Sequence, residues 1–177
     1  MDFEKIQIQR RSRVNIFFMK KNIKLSNINF KLDNNGRSPA YYPDVDTNFT
    51  LNNKITNEIK KIFNQFKTSF RICLHSNKKD KVHIMIVILS NKNESPVHLH
   101  EKKDEFYNIL YGQMNVKVYD KISKKVKKIF MMGKKRSNFL IIKKKTLHKV
   151  EPKSNCVIFV ETRTGPFYKN DSIIYKI

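Results

Sequence analysis

Glycine, proline and cysteine are all scarce in this chain of 177 residues, at 4, 5 and 2 respectively, and tryptophan is absent. There is accordingly no glycine-rich phosphate loop and no Gly-x-Ser-x-Gly nucleophile elbow. Cys73 and Cys156 have no metal-type spacing, make no CxxC pair and cannot form a disulfide framework. Long apolar runs are missing too, so no segment is expected to span a bilayer. The stretch VNIFFM, between RRSR and two lysines, is too short for a secretory h-region and lacks a small-residue cleavage site. The expectation is a cytoplasmic protein. At 40% hydrophobic residues the chain can build a single packed core, which fits one domain with a short extension.

Acidic residues are also few: 15 against 37 basic ones, a net charge of +22. Such an excess usually points to nucleic acid or an anionic membrane. Here it comes from 30 lysines and only 7 arginines, and Lys, Asn and Ile together make 70 of the 177 residues. All three have AT-rich codons, so biased base composition accounts for the profile. The lysines are scattered over turns and strand ends, with no aromatic-interleaved basic stripe and no one-sided basic helix. No specific nucleic-acid partner is expected, only weak, salt-sensitive attraction to polyanions.

Residues 1–40 are polar and weakly patterned, with turn signals at Asn34-Asn35-Gly36 and Ser38-Pro39. Residues 41–68 hold an extended segment, AYYP from Ala40, and one clear helix. Thr50 to Asn53 supply caps, and Ile55, Ile59, Ile62, Phe63 and Phe66 recur at helical spacing. From residue 69 the period changes to two. β-rich runs at 70–74, 83–89, 96–100, 105–111, 113–119, 126–131, 138–142, 147–151, 156–162 and 172–176 are separated by turn residues at short intervals. That pattern predicts a mainly β sandwich or barrel over 69–177.

Within it, His98 and His100 stand two apart, so on a strand both imidazoles project from one face. Glu105 follows a short polar turn and shares a face of the next strand with Tyr107 and Ile109. If that strand hairpins back, its carboxylate meets the two imidazoles, and two His with one carboxylate suit a borderline divalent metal. Gly112 sits where a strand must reverse. A third imidazole, His148, is available in a separate β-run, but spacing alone does not bring it to the same point.

HLHEKKDEFYNILYG resembles the first motif of the cupins, and IIKKKTLHKVEPKSN resembles the second, although Lys and Thr stand ahead of His148 where Pro and Gly are usual. The resemblance implies a cupin jelly-roll (double-stranded β-helix) barrel with one N-terminal helix, with metal ligands His98, His100, Glu105 and His148. The flanking blocks RICLHSNKKDKVHIMIVIL and VIFVETRTGPF, with YYPDVD before the helix, are similar to WbuC-type cupin-fold metalloproteins. That similarity covers about 41–177 and leaves 1–40 as an extension. It implies a link to O-antigen-like surface-polysaccharide biosynthesis, with no assigned reaction.

Three His and one Glu would leave a six-coordinate Zn, Fe, Mn, Ni or Co ion about two positions for water or substrate. Arg71 and Arg163 stand out in a chain that rations arginine; the expectation is that both line a pocket mouth and hold an anionic small molecule such as a sugar nucleotide. His75 and Tyr107 are the candidate acid–base and pocket-wall residues, and His83 is read as structural. Three activities fit these residues: a sugar isomerase or epimerase, a non-catalytic metal-dependent ligand-binding module, or a dioxygenase. Pairing through edge strands or N-terminal segments makes a homodimer reasonable.

Overall fold

The computed structural model describes residues 19–177 apart from Arg37, Thr47, Glu94 and Lys169. The period-two region forms β4 (Phe70–Cys73), β5 (Val82–Ser90), β6 (Val97–His100), β7 (Glu105–Tyr111), β8 (Met114–Tyr119), β9 (Val126–Met132), β10 (Phe139–Ile142), β11 (His148–Pro152), β12 (Cys156–Thr164) and β13 (Ser172–Tyr175). The antiparallel partners are β5 with β12, β6 with β11, β7 with β10, and β8 with β9. One long hairpin is thus folded back over itself. Its strands fall alternately into two sheets, which contain the orders β5-β12-β7-β10 and β6-β11-β8-β9. This is the double-stranded β-helix, or cupin-type jelly roll, with a single helix before it among the described residues.

The helix, α1 (Asn53–Phe66), begins where the Asn52 side chain accepts from the Ile55 N–H at 3.1 Å. It ends at Lys67, whose φ of 53° is left-handed and whose N–H donates to the Phe63 carbonyl at 2.7 Å. Ile55, Ile59, Phe63 and Phe66 are buried against Tyr41, Phe70, Ile72, Ile86, Ile88 and Ile158. At ~1.5–3 kcal/mol per fully buried large apolar side chain, this packing rather than helix propensity holds α1 in place.

The larger sheet therefore has a core on each face. Outside lie α1 and the N-terminal strands; inside the barrel lie Met85, Val87, Tyr107, Ile109, Val116, Leu140, Val150 and Phe159.

The segment read as an extension is partly built into this sheet. β1 (Asn22–Leu25) and β2 (Ile28–Asp33) form a hairpin through Ser26 and Asn27, both at positive φ, and β2 pairs with β3 (Ala40–Pro43). Ile23, Leu25 and Phe30 fill the outer core. Residues 1–18 lie outside the described residues. Among those described, no helix is long and apolar enough to cross a membrane.

The register stacks the inner face of the large sheet in rows. His83, Arg163, Glu105 and Ile142 form one row at the end of the barrel. Met85, Glu161, Tyr107 and Leu140, with Cys73 beside them, form the next, and Arg71, Val87, Phe159 and Ile109 the one after.

Candidate metal centre

β6 and β11 face each other with His98 opposite His148, and β13 places Ser172 opposite His100. Ser172 Oγ lies 3.2 Å from His100 Nδ1, and the Thr146 carbonyl lies 2.9 Å from His148 Nδ1, so each ring is oriented through Nδ1 and presents Nε2 inward. Glu105 opens β7 after a turn that is tied down on both sides. Asp104 accepts from the Lys144 N–H and from Lys143 Nζ, each at 2.8 Å, and the Lys145 N–H donates to the His100 carbonyl at 2.6 Å. Lys145 takes a φ of 64°, so the turn before His148 is made without a glycine, at a cost of about 1 kcal/mol.

These constraints bring His98, His100 and Glu105 together, with His148 beside Glu105 and its ring centroid 6.2 Å from that of His100. His100 Nε2 is 2.9 Å from Glu105 Oε1, and His148 Nε2 is 3.1 Å from Glu105 Oε2. The His98 ring centroid lies 4.4 Å from that of His148 and 5.2 Å from that of His100. Potential ligand atoms of His98, His100 and Glu105 all lie within 4.8 Å of one another. His100, Glu105 and His148 are buried, while His98 is half-buried and marks the side nearest solvent. Buried His100 Nε2, although close to Glu105, has no hydrogen bond in acceptable geometry. A nitrogen and an oxygen that approach without pairing are arranged as co-ligands would be. The donor set of imidazole and carboxylate, with no thiol, suits a borderline divalent ion.

The electrostatics agree. Burial would raise the Glu105 carboxyl, but the imidazoles of His100 and His148 beside it outweigh burial and hold it well below the usual range. Burial, helped by neighbouring His148, pushes His98 down to about 3, so its ring is neutral and available to ligate. Burial pulls His148 down too, but Glu105 overrides it and the net direction is up.

Of the other expected residues, Tyr107 reaches the cluster. Its hydroxyl donates to Glu105 Oε2 at 2.9 Å and lies 3.4 Å from His148 Nε2, and burial holds its pKa well above the ordinary phenol value. His75 does not join the cluster through any ring contact: it stacks on His83, with centroids 4.1 Å apart and planes within 5°, and its Nδ1 lies 3.0 Å from the Ile84 carbonyl. Parallel rings cannot aim two nitrogens at one ion. The arginines do not line a mouth together. Arg163 is only 8% exposed, with Nη1 3.8 Å from Glu105 and 3.6 Å from Glu161, whereas Arg71 lies two rows deeper.

Beside Arg163 stands Glu161, a buried carboxylate outside the residues singled out from the sequence. Burial raises its pKa, and Arg163 and then Arg71 oppose that. The alternation Phe159, Glu161, Arg163 in a strand with an inward apolar residue was the available signal. Also missed was the strap across this end: buried Lys103 pairs with Asp171 at 2.5 Å and donates to the Pro166 carbonyl.

The model of a family described as a domain of unknown function (DUF6016) matches residues 56–131, less than half of the chain. No curated protein matches. Among solved structures, the capsular polysaccharide assembling protein CapF from Staphylococcus aureus is 13% identical with a TM-score of 0.48, over 55% of this chain and 28% of that one. The formate complex of oxalate decarboxylase from Lactobacillus farciminis is 15% identical with a TM-score of 0.44, over 87% of this chain and 33% of that one. An uncharacterized conserved protein with a double-stranded β-helix domain from Klebsiella pneumoniae is 11% identical with a TM-score of 0.46, over 62% and 81% of the two chains. This chain spans about a third or less of the CapF and oxalate decarboxylase chains, and the fold assignment rests on its own strand pairing.

Proposed function

We propose that the chain is a WbuC-type cupin holding one divalent transition metal through His98, His100, Glu105 and His148, and that it acts on a saccharide or nucleotide-sugar intermediate by an isomerisation- or epimerisation-type step. The observation that carries the metal reading is the buried His100 Nε2, 2.9 Å from Glu105 Oε1 and without a hydrogen bond. A bound ion would supply Lewis acidity toward a carbonyl or hydroxyl oxygen. The protein's own residues supply the rest. Tyr107 donates to Glu105 Oε2 and thereby fixes the carboxylate, and Arg163 holds charge opposite Glu105 and Glu161. His98, the half-buried member, stands where a ligand would approach.

The sugar part of this reading is supported by the resemblance of the flanking blocks, and CapF, a capsular polysaccharide assembling protein, has a similar fold. Because Arg163 is paired with carboxylates, it offers little to an anionic substrate, so the reading favours recognition through hydroxyl and carbonyl oxygens. The test is a thermal-shift panel of sugars and sugar nucleotides on metal-loaded protein, followed by product analysis. A compound that raises the melting temperature only when metal is present, and is then converted, supports the reading. A panel without metal-dependent shifts contradicts it.

A second reading is a non-catalytic metal-dependent ligand-binding module. It is favoured by the burial of His100, Glu105 and His148 with the Tyr107 hydroxyl among them, which narrows access to the His98 side. Binding without conversion would select it. Oxygen uptake with iron but not zinc would select the third reading, a dioxygenase.

A further inference from the structure

At the end of the barrel away from the histidines, the second half of α1 and the strand ends enclose a groove of about 680 Å³. Lys60, Lys67 and Lys92 project around it, Asn64, Asn91, Asn155, Ser90 and Ser154 supply amides and hydroxyls, and Tyr111 forms an aromatic wall. None of the described residues that line it is acidic. We propose that this groove is a binding site for a small phosphorylated ligand of the di- or triphosphate class.

Three observations carry the proposal. First, the charge is concave and, among the described lining residues, unopposed. Three lysines line one depression with no acidic residue among the described lining, whereas some lysines elsewhere are paired, such as Lys31 with Asp44, Lys78 with Asp33 and Lys117 with Glu151. The carboxyl end of α1 offers only about half a negative charge, too little to balance three cations. Second, two of the three lysines are placed by structure. Lys67 is fixed by the left-handed turn that ends α1, its Nζ donates to Asn64 Oδ1 at 3.3 Å, and Lys60 Nζ stands 4.2 Å over the Tyr111 ring. The opposite rim is fixed by Asn91 Nδ2 donating to Asn155 Oδ1 at 3.0 Å and by the Gln113 N–H donating to Ser154 Oγ at 3.0 Å. Third, the size is right: the volume falls among those of small-molecule sites and admits several linked phosphates with a ring beside Tyr111. An ammonium trio with neutral donors between them matches a chain of phosphates better than a single carboxylate.

The experiment uses full-length protein kept in chelator, so that a candidate metal at the other end cannot bind the probe. Pyrophosphate, ADP and orthophosphate are titrated calorimetrically at near-physiological salt. Three proteins are compared: wild type, Lys60→Ala/Lys67→Ala/Lys92→Ala, and the control Lys127→Ala/Lys128→Ala, whose lysines lie on edge strand β9. The expected result is pyrophosphate or ADP binding at least about tenfold tighter than orthophosphate, weakened at least about tenfold by the triple variant and unchanged by the control. Equal weakening in both variants, or no binding by wild type, would overturn the proposal. Displacement of ADP by a single-stranded oligonucleotide that binds far more tightly would also overturn it, in favour of an extended polyanion surface. Circular dichroism and melting of the triple variant confirm that any loss is not unfolding.

Discussion

His148 is the cross-strand partner of His98, and that one pairing of β6 with β11 joins two segments distant in the chain at the same end of the barrel. It makes the cluster a product of the long folded hairpin, not of local sequence. Anything that disturbs the hairpin or the buried charges beside it should therefore be felt at the site.

One tight backbone approach on that hairpin is at Gly112, between β7 and β8. Its φ is +82°, and a Cβ there would stand 2.4 Å from the Cys156 carbonyl oxygen. Gly112→Ala should cost at least ~2 kcal/mol, read as a lower denaturation midpoint. Gly112→Asn should be no better. Asn tolerates positive φ, so rescue by Asn would mean that conformation, and not the clash, sets the cost.

The arginine beneath the cluster is the most consequential charge. Arg163→Met would leave Glu105 and Glu161 buried together without the guanidinium beside them, and breaking such a pairing costs about 3–5 kcal/mol. Burial already raises Glu161, and loss of Arg163 should raise it further, so the variant should regain stability as pH falls and Glu161 takes up a proton. Equilibrium unfolding across a pH series checks this. A variant as stable as wild type at neutral pH would show that the two carboxylates do not depend on Arg163.

Stability should also depend on pH through the other histidines. Burial, then the neighbouring His75 and Arg163, hold His83 down to about 4 against an ordinary 6.5. The unfolded chain then takes up the proton first, so this contribution is intact above pH 6.5 and is lost as pH falls toward 4. Two to three units correspond to roughly 3 kcal/mol. Glu105, held low, adds a loss at more acid pH, while His148, held high, contributes below 6.5 and loses that contribution as pH rises through its folded value. Melting curves of chelator-treated protein should fall between pH 6.5 and 4, and His83→Gln should flatten that fall. An unchanged slope in the variant would assign the pH dependence elsewhere.

How much of this could be read from residues alone follows from how local each signal is. The helix was legible because its apolar stripe and Asn52 cap lie within a few turns. The strands were legible because Phe70, Ile72, His98, His100, Glu105 and Tyr107 keep period two, and the run boundaries nearly coincide with β5 to β13. The hairpin of β1 and β2 was hidden because its few apolar residues, of which Ile23, Leu25 and Phe30 are buried, stand among lysines and asparagines. The burial of Arg163 was hidden for a different reason. Which carboxylate an arginine meets depends on the register between β12 and β7, which sets Arg163 against Glu105 and leaves Glu161 one row away. His75 was misleading in the same way, since its partner His83 comes to it from the next strand.

The central claim is tested most directly by counting metal. Wild type, His148→Ala and Glu105→Gln are stripped with chelator, reloaded with cobalt, dialysed, and assayed by mass spectrometry for ions per folded chain. Wild type should retain one ion per chain, and each variant should bind at least about a hundredfold more weakly, releasing its ion on dialysis while still melting cooperatively. Wild type that keeps no ion above a metal-free control, or His148→Ala that keeps as much as wild type, would contradict a centre built from three imidazoles and a carboxylate.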